Sequence, residues 1–389
     1  MLHRRTILAA GIAFTALAGS RTIAPALAQQ VRGRKLLFVI QRGAADGLAE
    51  LAPVGDRHFA DLRRAYVKEA ESGHALDDLF RLHPSLPNMA KLYDGGQAAF
   101  VHATASVYRD RSHFDGQNVL ESGGDAPYKV KTGWLNRLIT LLETDSADKA
   151  PSAIALSSDI PLALRGPGRA SSYTPSSLPS PDGDFLDRLN RLYGDSPDLA
   201  AALQSANETR DMAGNSGPVG RRDGRAAGAL MARLMGGRSG ASVAMVETEG
   251  WDLHANGQFR MRVNLKYLDD MLDGFRSGMA GEWDNTLVVI ATEFGRSAAI
   301  NGTNGTDHGT GGVMMLLGGT VNGGKVHADW PGLGKSQLLD GRDLRPTISQ
   351  ESAISGAVAA HFALDPARVQ QMLFTHMRGQ PVYPGLVRG

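Results

Sequence analysis

The sequence predicts an α/β fold built on parallel strands, and three observations carry that prediction. Short apolar, β-branched runs recur at Lys35–Ile40, Val243–Glu247 and Leu287–Ala291. They lack a polar face, as strands covered on both sides do. Helical segments stand between such runs, above all Asn264–Ser277, whose Leu265, Leu268, Met271, Leu272 and Phe275 recur at helical spacing. That stripe is core packing. Each run opens into a loop carrying Asp, Glu or His, and ligands of open α/β sheets bind beyond the carboxyl ends of the strands.

Composition narrows the chemistry. The chain has 389 residues, 42% hydrophobic and 21% charged, which is ordinary for a globular protein. It contains no Cys, so disulfides and thiolate metal sites are excluded. Any metal must use His, Asp, Glu, Asn or hydroxyl ligands.

Residues 1–28 read as a signal peptide. Arg4-Arg5 precedes an apolar run, Ile7–Leu17, and Ala26-Leu27-Ala28 supplies a cleavage site. The paired arginines before Ile7 and Leu8 resemble a twin-arginine signal. The twin-arginine export machinery is then a partner, and the destination is the periplasm or another exported location. An ordinary secretory signal is the alternative. The apolar run is too short to span a bilayer, so no stable membrane insertion is expected after cleavage. Losing Arg4, Arg5 and Arg21 takes the formal net charge of +1 down by three, to −2. A near-neutral chain points away from nucleic acid as a partner.

Taken in order, Lys35–Ile40 is the first, central strand. The turn after it puts Asp46 just past the strand's carboxyl end, as a metal ligand or as an Asx-turn residue before Gly47. Residues 56–80 read as surface helix, Leu86–Tyr93 as a short helix and Gln97–His102 as a second strand. Ser112, with Asp115 three residues on, opens a helix running to about Glu121. Ser112 is an N-cap, or a nucleophile at a helix N-terminus where N–H groups and dipole favour an anion. His113 is a ligand, a base or a helix-surface residue. Trp134–Leu142 is an amphipathic helix and Ala153–Leu156 a strand.

The stretches 165–185 and 206–224 are rich in Gly, Pro and polar residues. They read as loop excursions from a single domain spanning 29–389. Phe185–Tyr193, Leu199–Ala206 and Arg225–Leu234 read as helices. After Val243–Glu247, Asp252 and His254 are two residues apart. In extended backbone both point the same way, which makes a metal half-site. The stretch Thr286 to Gly318 organises the rest. Its first strand ends at Glu293, its Gly/Asn/Thr loop carries Asp307 and His308, and Val313–Leu317 re-enters the sheet. Carboxylate with imidazole is the ligand chemistry of a divalent metal, Zn first, with Ca or Mn as alternatives. Gln350–Phe362 closes the pattern as an apolar-faced helix.

The order RGAADGL, RSHFDGQ, EGWDLHANG, TEFGR and GTDHGTGG resembles the DUF1501 family of exported bacterial proteins. That family is similar to the alkaline phosphatase/sulfatase superfamily. The resemblance implies a three-layer α/β fold, a mainly parallel sheet with helices on both faces. It implies one or two divalent metals beside a nucleophile, and hydrolysis of a small anionic phosphate or sulfate ester. By the same resemblance Asp46, Asp252, His254 and His308 match metal positions and Ser112 the nucleophile; in a hydrolase of this kind Arg296 or Arg111 would clamp the anionic group. Phe294 stands where the superfamily has a second His, so one metal position loses a ligand unless His113 or Asp307 completes it with Glu293. A non-catalytic binding or accessory protein on a degenerate hydrolase scaffold is the alternative.

Overall fold

Lys35–Gln41 forms strand β1, buried from end to end, and the sheet is assembled on its two flanks. The computed structural model describes residues 33–144, 153–175, 181–214, 219–220, 222–237 and 239–388. The signal-peptide reading of residues 1–28 lies outside them. A small antiparallel sheet comprises β2 (Leu51–Ala52), β3 (His74–Ala75) and β4 (Arg81–Leu82). The main sheet continues with β5 (Ala98–Ala105), β6 (Ala153–Leu156), β7 (Ala170–Tyr173) and β8 (Val243–Thr248). It is completed by β9 (Thr286–Ala291), β10 (Gly312–Leu317), β11 (Lys325–His327) and β12 (Ile348–Ser349).

The order across the main sheet is β11-β5-β10-β9-β1-β8-β6-β7, with β12 also on β5. β10 pairs antiparallel with both neighbours, and the other pairings are parallel. The carboxyl ends of β1, β5, β8 and β9 therefore share one edge, and the start of β10 meets them there.

Alternation along β1 decides what covers each face. Leu36, Phe38 and Ile40 enter one core with Trp134 and Leu138 of α2 (Trp134–Thr144) and Ile354 and Phe362 of α5 (Gln350–Phe362). Leu37 and Val39 enter the other with Leu230 and Leu234 of α3 (Gly224–Met235) and Leu265, Leu268 and Phe275 of α4 (Gly257–Gly278). Two helical layers thus sandwich the sheet, the three-layer architecture expected of a buried parallel sheet. α3 and α4 approach so closely that a Cβ on Gly228 would collide with the Met271 carbonyl. Only glycine allows that contact.

Several expectations need correcting. Residues 56–80 are not one helix but short turns, Phe59–Leu62 and Val67–Glu71, followed by β3. The expected loop 165–185 contains β7 and the start of helix Gly183–Tyr193. The expected loop 206–224 is helical as far as Ala213, within Pro197–Ala213. Polar composition misled there because these elements lie at the sheet's outer edge and bury little. No described helix is long and apolar enough to cross a membrane.

Candidate metal centre

Three loops and one helix meet at the shared edge. After β8, Trp251 and Leu253 are buried, while Asp252 and His254 reach the surface. The Trp251 indole N–H donates to Thr248 Oγ1 at 2.9 Å and pins that register. The loop from β9 to β10 folds back on itself, with Arg296 bridging His308 and the Gly309 amide donating to the Gly295 carbonyl at 2.8 Å. After β5, α1 (His113–Ser122) starts at His113.

These elements bring His113, Asp252 and His308 together, with one possible ligand atom from each lying within 4.8 Å of the others. His308 Nε2 is 3.0 Å from His113 Nε2, 3.0 Å from His254 Nε2 and 3.3 Å from Asp252 Oδ1. Asp252 Oδ1 is 2.9 Å from His254 Nε2 and 3.5 Å from His113 Nε2. The edge of a tetrahedron with metal–ligand bonds of about 2.0–2.1 Å is roughly 3.3 Å. Asp252 and His254 keep 43% and 46% of their side-chain surface exposed, so the cluster opens to solvent on that side.

The other ring nitrogens show why a cation fits. His113 Nδ1 lies 2.8 Å from Glu293 Oε1, His254 Nδ1 3.3 Å from Asp307 Oδ1, and His308 Nδ1 2.9 Å from the Arg111 carbonyl. Each partner is an acceptor, which suits a proton on Nδ1 and an Nε2 turned toward Asp252 Oδ1. Three Nε2 atoms and a carboxylate oxygen then face one another, a donor set that a divalent cation fits. Arg111 adopts φ 59° to deliver its carbonyl, a left-handed conformation costing roughly 1–3 kcal/mol that the surroundings must sustain.

Neighbouring charges and burial set the protonation of the cluster. Burial pushes the Asp252 carboxyl up, but Arg296 at 2.7 Å outweighs it and holds the group below the usual carboxylate range. Burial also raises Glu293, and the hydrogen bonds from His113 and Gln117 bring it below its ordinary value. The bond to Glu293 raises His113, while burial lowers His308.

The expected ligands divide. Asp252, His254 and His308 stand in the cluster, joined by His113. Glu293 and Asp307 stand behind it. Glu293 Oε1 also accepts from the Gly43 amide and Gln117, and Oε2 from Thr292, so its lone pairs are already used. Asp46 lies elsewhere: it is buried against Arg63 Nη1 at 2.6 Å. Arg63 is itself fully buried on the Ala298 and Ser297 carbonyls and needs that carboxylate. Arg296, expected to clamp a substrate anion, is spent on Asp252 and Thr306. Ser112 sits at the N-cap position of α1, but its hydroxyl makes no capping bond. Phe294 is a buried wall, stacked on the His113 ring with centroids 5.0 Å apart. Sequence reasoning missed Arg63, Gln117 and the Arg111 carbonyl. None has a sequence signal, because each acts through a contact distant in the chain.

Among solved structures, the chain is similar to i-CgsB in complex with a neocarrahexaose, with TM-score 0.41 and 11% identity over 88% of this chain and 75% of that one. It is similar to the alkaline phosphatase from the Antarctic bacterium TAB5, with TM-score 0.38 and 15% identity over 75% and 94%. A third is the PsFucS1 sulfatase from Pseudoalteromonas sp., with TM-score 0.36 and 12% identity over 79% and 67%. Likenesses this distant assign no reaction. No curated protein matches the chain in sequence. The model of DUF1501, described as a protein of unknown function, matches residues 35–373. The chain belongs to the DUF1501 family.

Proposed function

We propose that this protein is an exported, metal-dependent hydrolase of phosphate or sulfate esters. The convergence of the His113 and His308 imidazoles with Asp252 Oδ1, with His254 beside them, carries the reading. His113, His254, His308 and Asp252 would hold the ion, Zn by the chemistry of the donors, with Mn or Ca as alternatives. A divalent metal bound there supplies Lewis acidity toward an ester oxygen. Ser112 stands at the N-terminus of the 10-residue helix α1, next to the carbonyl that orients His308. Helix N–H groups and dipole favour an anionic ester at that place, and Ser112 is the nucleophile in this reading. Arg296 keeps Asp252 ionised and in position. Arg4 and Arg5 favour export by the twin-arginine route. The test loads residues 29–389 with Zn, Mn or Ca and offers an aryl phosphate and an aryl sulfate. No turnover with either ester under any of the three metals would sink the reading.

One observation favours a second reading. Three imidazoles and a carboxylate gather at the centre, and a donor set supplied wholly by protein is the mark of structural sites. A metal-binding accessory protein on the same scaffold would bind one metal per chain, gain thermal stability from it, and turn over neither ester.

A further inference from the structure

Beside the metal centre, along α1, runs a cleft of about 440 Å³. Gln117 belongs to both: it lines the cleft and donates to Glu293, the carboxylate behind His113. The walls carry two exposed rings, Phe114 and Tyr128, at 81% and 53% exposure. Phe114 is the residue next to the metal donor His113. Tyr128 is held in the left-handed region at φ 61°, unusual for a bulky residue, and its backbone N–H donates to Asn118 Oδ1 at 2.7 Å. Backbone strain that presents an aromatic ring to a cleft is a mark of a ligand site.

The charges in the cleft decide what it accepts. Arg42 and Arg165 face Glu121, Asp159 and Glu247, so the lining is one negative charge in excess. Arg42 is already paired with Glu121 and Glu247, and Arg165 donates to the Ile160 carbonyl. Three carboxylates against two arginines, one of them already paired, disfavour a polyanion. What remains is two aromatic faces, side-chain amides, hydroxyls and carboxylates. That set matches a sugar chain, whose C–H faces are apolar and whose edges carry hydroxyls. The volume is within the range of small-ligand sites.

We propose that this cleft seats the saccharide that bears the ester. The placement of the ester rests on the hydrolase reading, while saccharide binding does not. The experiment separates them: metal-free protein, residues 29–389, is applied to a glycan array of neutral, singly esterified and polysulfated glycans. Hits are then titrated by calorimetry. Neutral or singly esterified oligosaccharides should bind, and Phe114→Ala and Tyr128→Ala should each weaken binding about 10-fold. Phe114→Trp, which keeps a platform, should restore it, and unchanged melting temperatures show that the variants fold. His308→Ala should leave saccharide binding unaltered. Retention of polysulfated glycans alone, or of none, overturns the assignment, as does binding insensitive to both alanine variants. Saccharide binding without turnover on any bound ester would remove the hydrolase reading and leave the cleft's ligand standing.

Discussion

The Nδ1 of His113 lies 2.8 Å from Oε1 of Glu293, and that hydrogen bond decides which ring nitrogen faces the candidate metal centre. Glu293 is therefore a positioning residue. Glu293→Gln removes its charge but keeps an acceptor for the ring and a partner for Thr292. Metal affinity should fall about 10- to 100-fold, in the range of such orienting partners, as read by competition with a chelator. His308→Ala, which deletes a donor, should cost at least as much. Parent-like affinity in Glu293→Gln would show that the ring needs no carboxylate to orient it.

Asp46 tests the division of roles from the other side. Its pairing with the buried Arg63 is structural. Asp46→Asn should leave metal stoichiometry unchanged and lower stability by about 3–5 kcal/mol, the cost of stranding a buried charge. Urea denaturation and elemental analysis read the two quantities separately. Lost metal with unchanged stability would return Asp46 to the ligand list.

Buried histidines set the acid limb of stability. Burial lowers His102 to about 4 and His361 to about 3, from an ordinary 6.5. Both stay neutral in the fold: His102 Nε2 donates to the Leu51 carbonyl and His361 Nε2 to the Lys35 carbonyl, each at 3.0 Å. Below pH 6.5 the unfolded chain takes up protons that the folded chain refuses. Each histidine's contribution is present above that pH and drains at about 1.4 kcal/mol per pH unit as pH falls toward the folded values.

Glu50 acts with the opposite sign. Burial raises it to about 8 against an ordinary 4.5. The unfolded carboxyl loses its proton first, so Glu50's contribution is full below pH 4.5 and is lost as pH rises through 8. From these three groups, stability should peak near pH 6.5. Urea midpoints from pH 4.5 to 8.5 test this. Glu50→Gln should flatten the alkaline limb and His361→Gln the acid limb. A parent midpoint still rising between pH 6.5 and 8 would contradict the assignment of Glu50.

Export is tested by replacing Arg4 and Arg5 together with Lys. On the twin-arginine route the double variant should accumulate as precursor inside the cell, detected by fractionation and immunoblot. Normal export of the variant would leave an ordinary secretory signal.

Features that depend on near neighbours in the chain were legible from the residues alone. β1, β8 and β9 were legible because a strand buried on both faces must be apolar at every position. Asp252 and His254 were legible as a pair because two-residue spacing in extended backbone puts side chains on one side, and they lie 2.9 Å apart. Residue type alone could nominate Asp46, Glu293 and Asp307, since each carboxylate follows a strand or sits in a loop. It could not rank them, because ligand and support differ only in what stands next to them in space. Arg63, 17 residues from Asp46, takes that carboxylate out of the centre. His113, 180 residues from Glu293, turns that one into a support. These roles follow from packing: the donors within reach of each carboxylate come from distant parts of the chain, and only the assembled sheet edge brings them together.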